Sequence, residues 1–258
     1  MTTTPGSGLR PLSPEWFERA RSLVAEVALP ADRACRVRFR AGDDATWHLV
    51  ADGGRITEWD AGTLDAPELE LRWRPEDARR ILARELRGDG AMLATTVVAR
   101  DAAGDEYVGP PAPQNLLGRP ELDAMTPVPG ATVAVQYHFR AGPFGDLDHV
   151  LRFEDGLLVE QRFGTIEHPD VRVDVPYRAV AVVRSGERTI VDALADGSVD
   201  GDIGPLAALA GILEDPAFQA AERATGRHAY ALAVLGELDA EPAFADAMTR
   251  LAAETRWT

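Results

Sequence analysis

The side chains in this chain best suited to move a proton are its 5 histidines and 42 carboxylates. His138 and His149 flank a hairpin signal, which places them to approach one another across adjacent strands. His48 and His149 stand one residue apart when the two halves of the chain are laid over each other, and Glu58 and Glu160 fall on one position. A symmetric carboxylate pair facing a shared cavity would suit acid–base work, although solvated strand faces account for the same residues. His168 precedes Pro169 and reads as a turn residue, and His228 reads as part of a surface helix. Neither a His-x-x-x-His pair nor a carboxylate–histidine cluster has metal-ligand spacing. There is no Gly-x-Ser-x-Gly elbow, and Gly88-Asp89-Gly90 is a turn signal without the spacing of a calcium loop.

Absent residues exclude further chemistry. The sequence has no lysine, which rules out a lysine Schiff base and a P-loop lysine. Cys35 is the single cysteine, so no internal disulfide or Cys-x-x-Cys motif forms. It alternates with Val37 and Phe39 and reads as a small buried hydrophobe. A formal net charge of −15 disfavours nucleic acid and anionic membrane surfaces. No apolar run has the roughly 18 residues that span a bilayer, so no integral membrane association is expected. Met1–Gly8 is polar and lacks a signal pattern, and the expected location is the cytoplasm.

These side chains need elements to hold them. Ser13-Pro14-Glu15 opens a helix with Trp16, Phe17, Ala20, Leu23, Val24 and Val27 at helical spacing. Strand-like runs follow at 34–40, 46–50, 55–59 and 68–73, separated by Gly-Asp turns. Pro75 starts a second helix with an apolar stripe of Ala78, Ile81, Leu82 and Leu86, and 92–99 reads as a last strand. Residues 101–129, rich in proline and glycine, read as a linker between a unit at 9–100 and another at 130–258. In the second unit, 132–140, 149–153, 157–163 and 171–175 are strand-like, while 177–183 fits helix or strand. Helices are expected from Pro205, with Leu206, Leu209 and Leu213 apolar, near Pro216, and near Pro242, with Phe244, Met248, Leu251 and Ala252 inward.

The second half repeats the first. With Gly54 laid over Gly156, 102 positions on, Glu58, Gly62, Thr63 and Pro67 fall without a gap on Glu160, Gly164, Thr165 and Pro169. Glycine and proline coincide where turn geometry demands them, which points to duplication of an α+β unit with helices on one sheet face.

The second copy also resembles a known family. Glu154-Asp155-Gly156, Gly164, His168-Pro169-Asp170-Val171, Ser185-Gly186-Glu187 and the run Gly197-Ser198-Val199-Asp200-Gly201-Asp202 are similar, in order, to the sterol carrier protein type 2 (sterol-binding) family of bacterial type. The first copy is a degraded version, in which Thr95-Thr96-Val97-Val98-Ala99 replaces the Gly-Asp turn. The resemblance implies two tandem, mixed five-stranded sheets with helices enclosing an apolar tunnel for lipids, acyl chains or other small hydrophobes. It implies no catalytic residue and no cofactor. Candidate walls in the second copy are Phe139, Leu151, Phe153, Phe163, Val173, Leu206 and Leu209. In the first they are Trp47, Leu49, Trp59, Leu71, Trp73 and Leu82, with the tryptophans expected to fill the space and leave the better pocket to the second copy.

The expectation is a binding or transport protein for a small hydrophobic ligand. A cofactor-free enzyme using the same cavity and a scaffold for a protein partner are the rival readings, and a homo-oligomer is compatible with all three.

Overall fold

The computed structural model describes residues 8–100, 106–109, 129–184, 187–189, 192–193, 195–202, 204 and 216–257. The first unit runs α1 (Pro14–Val24), β1 (Cys35–Ala41), β2 (Ala45–Asp52), β3 (Arg55–Ala61), β4 (Leu69–Trp73), α2 (Pro75–Leu82), α3 (Gly88–Leu93), β5 (Thr96–Arg100) and β6 (Glu106–Gly109). The second runs β7 (Val133–Gly142), β8 (Gly145–Glu154), β9 (Leu157–Phe163), β10 (Val171–Pro176), α4 (Tyr177–Arg184) and β11 (Ser198–Gly201). Two helices close the chain, α5 (Pro216–Ala240) and α6 (Pro242–Glu254).

Local chemistry explains the elements. Ser13 caps α1 by accepting from the Trp16 amide at 3.3 Å, and Pro14 takes the first helical position. In β1 the buried residues Cys35, Val37, Phe39 and Ala41 alternate with half-buried Arg36, Arg38 and Arg40, the period-2 signature of a strand with one core face.

The two sheets share one topology. The first has strand order β3-β2-β1-β4-β5-β6 and the second β11-β10-β7-β8-β9, so five strands correspond and β6 is an addition. The chain is therefore α+β, built of two tandem sheet-plus-helix units. Correspondence reaches single residues. Both second hairpins carry a bulge at the same place, Val50/Ala51 and Arg152/Phe153. Gly62 and Gly164 both have φ +101°, a conformation that suits glycine, and Gly54 and Gly156 have +75° and +78°. The acidic residue after each turn proline, Glu68 or Asp170, accepts from a backbone amide of the neighbouring parallel strand, at 3.0 Å from Arg36 and 2.7 Å from Ala134.

The repeat departs from itself at the first hairpin. Cys35 pairs with Ala51 and Val133 with Phe153, so β1 and β7 are offset by 98 positions while β2 and β8 are offset by 102. The second unit thus has four extra residues at the hairpin tip, around Phe144. Two expectations are corrected in the first unit. The stretch 88–93 is the short helix α3, not turn and strand, and β6 lies inside the span expected to be linker.

The last two helices tie the units together. In α5 Ala229 and every residue from Ala231 to Leu235 are buried. A helix apolar on all sides belongs inside a protein, and α5 packs on β1 of the first sheet and on β7 and β8 of the second. His228, expected on a surface helix, is instead buried, with Nδ1 2.7 Å from the Glu68 carbonyl oxygen. Glu237 of α5 pairs with Arg33 of the first unit and, at 3.6 Å, with Arg178 of the second. Helix α6 packs on α1, where Trp16 Nε1 donates to Thr255 Oγ1 at 3.0 Å. Among the described residues no helix is long and apolar enough to cross a membrane.

Candidate functional site

Strand register sets a row of side chains across the core face of each sheet. In the first unit the row is Val97, Leu71, Phe39, Trp47 and Ala61. In the second it is Val199, Val173, Tyr137, His149 and Phe163. Neighbouring positions exchange bulk as well, since Ala41 and Trp73 correspond to Phe139 and Val175. The first unit thus carries tryptophans beside alanines, and the second spreads medium-sized rings over the same area.

The consequence is an apolar cavity of about 80 Å³ in the first unit. Its floor is Phe39, Trp47, Leu49, Trp59 and Trp73 of the sheet. Phe39 stacks on Trp47 with centroids 5.6 Å apart and on Trp73 at 5.5 Å, and the two tryptophans lie 5.7 Å apart at 31°, so three rings form one aromatic wall. Ile81 and Leu82 of α2 close one side, and Leu235, Leu238, Phe244 and Met248 of α5 and α6 form the roof. Trp59 stacks on Phe244 at 5.9 Å. Phe144, on the extended hairpin of the second unit, meets Trp73 edge to face at 5.8 Å. Its carbonyl accepts from the Gly88 amide at 2.9 Å, which fixes the tip against the first unit.

Polar groups on this lining are few. Arg84 and Arg87 both bond Asp239 of α5, one to each carboxylate oxygen. Trp73 Nε1 donates to Thr95 Oγ1 at 2.6 Å. Trp59 Nε1 is buried and has no hydrogen-bond partner among the described residues.

Of the walls named from the sequence in the first copy, Trp47, Leu49, Trp59, Trp73 and Leu82 line this cavity, and Leu71 is buried beneath it in the core. The tryptophans do not fill the space: they line it together with residues of the helices. In the second copy, Phe139, Phe163 and Val173 are buried, while Leu151 and Phe153 are half-buried on the same face. Phe139 stacks on Tyr137 at 5.2 Å and meets Tyr177 edge to face at 5.8 Å. Leu206 and Leu209 lie outside the described residues.

Sequence pattern placed Phe244 and Met248 on the inward face of the last helix but gave no sign that they, or Arg84, Arg87, Phe144 and Asp239, complete the first-unit site. Arg84, Arg87, Phe144, Asp239, Phe244 and Met248 come from loops and from helices far along the chain. The one signal among them is the apolar stripe of the last helix, which carries Phe244 and Met248.

The titratable candidates separate. His149 faces Tyr137 and lies on the core face, whereas His138 faces Asp148 on the other, with Nδ1 3.1 Å from its carboxylate. Successive residues of a strand point to opposite faces, which is why the two histidines do not meet. Burial, then the charge of Arg162, pushes the His149 pKa down to about 3, and its Nε2 has no hydrogen-bond partner among the described residues. Glu58 and Glu160 lie on the outer faces of different sheets, 3.4 Å from His48 and 2.8 Å from Arg162 respectively. They share no cavity. Cys35 is fully buried, and burial pushes its thiol up to about 12, which leaves it unreactive. Among the described residues, no group of three or more His, Cys, Asp and Glu side chains is placed to hold a metal ion.

This arrangement suits apolar burial with a polar contact at one end. An engineered cavity of roughly 150 Å³ accepts benzene, so a ring-sized ligand requires the roof side chains, Met248 above all, to give way. Comparison of the chain with protein-family models and with curated proteins finds no match.

Proposed function

We propose that the protein binds a small hydrophobic ligand in the aromatic cavity of its first unit. The observation that carries this reading is a gap left between a wall of three packed aromatic rings and a roof of leucine, methionine and phenylalanine side chains. Ordinary packing would close such a gap, since dispersion contacts are forfeited along its lining. The likeness of the sequence to the sterol carrier type 2 family supports the same class of function, although the site argued here is in the copy that departs further from that pattern. Burying about 150 Å² of ligand surface is worth roughly 4 kcal/mol, so a simple ring should bind in the millimolar range.

A brominated ring tests the reading, because bromine quenches tryptophan fluorescence on contact and three tryptophans line the cavity. Bromobenzene should quench saturably. Leu82→Phe, which narrows the cavity, should weaken binding by roughly fivefold or more. Leu151→Phe, on the matching face of the second unit, should leave it unchanged. Quenching that rises linearly and equally in all three proteins would remove the basis for the proposal.

A further inference from the structure

Resting on that reading, we infer that the ligand carries an anionic group, a carboxylate in the simplest case, seated at the arginine mouth of the cavity. Three observations converge on this class. First, the charged side chains on the lining are Arg84, Arg87 and Asp239, two cations against one anion. The mouth is therefore positive in a chain whose net charge is −15. Second, the one carboxylate is already used. Asp239 is mostly buried, with 11% of its side chain exposed, and each of its oxygens takes one guanidinium. Each arginine spends one N–H on it, and a guanidinium has five. Third, Trp59 keeps a buried indole N–H without a partner among the described residues. Buried polar groups are almost always hydrogen-bonded, so this orphan donor, on a residue of the lining, is open to an acceptor once the roof side chains give way.

The side chains around the cavity thus offer more spare donors than acceptors, since two guanidiniums and an indole stand against one carboxylate already holding two cations. An ammonium would bring only donors and a like charge to the two arginines, and an alcohol would bring an acceptor without the charge. A carboxylate brings two acceptor oxygens, and a guanidinium fork matches them in a plane. The apolar remainder of the ligand then lies on the Phe39–Trp47–Trp73 wall. Net charge works against this preference at long range, since a chain of −15 repels anions. Any preference for the anion must come from the local site.

The experiment compares 4-bromobenzoate with 4-bromobenzyl alcohol, which has the same ring and no charge, by tryptophan quenching of the intact protein. The carboxylate should bind at least about tenfold more tightly, the range of one charge-assisted contact. In Arg87→Gln the advantage should close to within about twofold, and in Trp59→Phe, with Trp47 and Trp73 still reporting, it should narrow. Equal affinities in the unmodified protein, or an advantage kept in both variants, would overturn the anionic assignment and leave the cavity's apolar role standing. Failure of both probes to quench saturably would overturn the two together.

Discussion

Trp47 and His149 stand at the same position of the two units, and the difference between them shows how a duplicated frame diverges. Trp47 spreads its ring along a cavity, while His149 is enclosed by Tyr137, Phe139 and Phe163 at 5.8 to 6.4 Å. A neutral imidazole with an unpartnered nitrogen is costly to bury and costlier to charge. The unfolded chain protonates this histidine below about pH 6.5, but the folded protein holds it neutral down to about pH 3. The unfolded state therefore binds the extra proton in that window, and stability falls as the pH falls through it. Between pH 7 and pH 5 the loss is about 2 kcal/mol. His149→Phe should abolish that share, so urea midpoints of the two proteins should diverge as the pH drops from 7 to 5. Parallel titrations would show that His149 is not held neutral. At this scale the sequence was informative where a residue's neighbours are local. Cys35 was readable as core from its alternation, but the faces of His138 and His149 depended on a register that the extended hairpin shifts.

Helix α5 is the element on which both units depend, and Gly236 marks its closest approach to the second. A Cβ there would lie 2.7 Å from the Gly142 carbonyl carbon and closer still to the Ala141 carbonyl oxygen. Two effects oppose each other in Gly236→Ala. Helix propensity favours alanine by about 1 kcal/mol, whereas the clash is with backbone, which cannot rotate away. The clash should prevail, and the melting temperature should fall by several degrees. A rise would mean that α5 does not seat against the β7–β8 hairpin. Elements with strong local signals were legible, including the Ser13 cap, the hairpin glycines and the alternating strands. The short helix α3 was not, because Gly88 and Gly90 signal a turn. Its place is fixed from outside, where Gly88 donates to Phe144 and Asp89 accepts from the Asp148 amide at 2.8 Å. Strand β6 was hidden in a proline-rich stretch that reads as linker.

Over the whole molecule the duplication was legible and the sharing of parts was not. Matched glycines and prolines disclosed two copies, yet the cavity of the first copy is roofed by helices from the far end of the chain and edged by a hairpin of the second. Leu9 and Thr255 form a bridge that joins the two ends of the described chain. A division at residues 101–129 therefore separates two sheets and cuts across the lining of one cavity. The central proposal is that, of two equivalent positions, the first unit's is the one that takes a ligand. A crystal of the intact protein soaked with 4-bromobenzoate tests this directly, because bromine gives an anomalous signal that locates the ring without reference to its environment. The account places that peak over the Phe39–Trp47–Trp73 wall, with the carboxylate within hydrogen-bonding distance of Arg84 or Arg87. A peak beside His149 in the second unit, with none in the first, would contradict it.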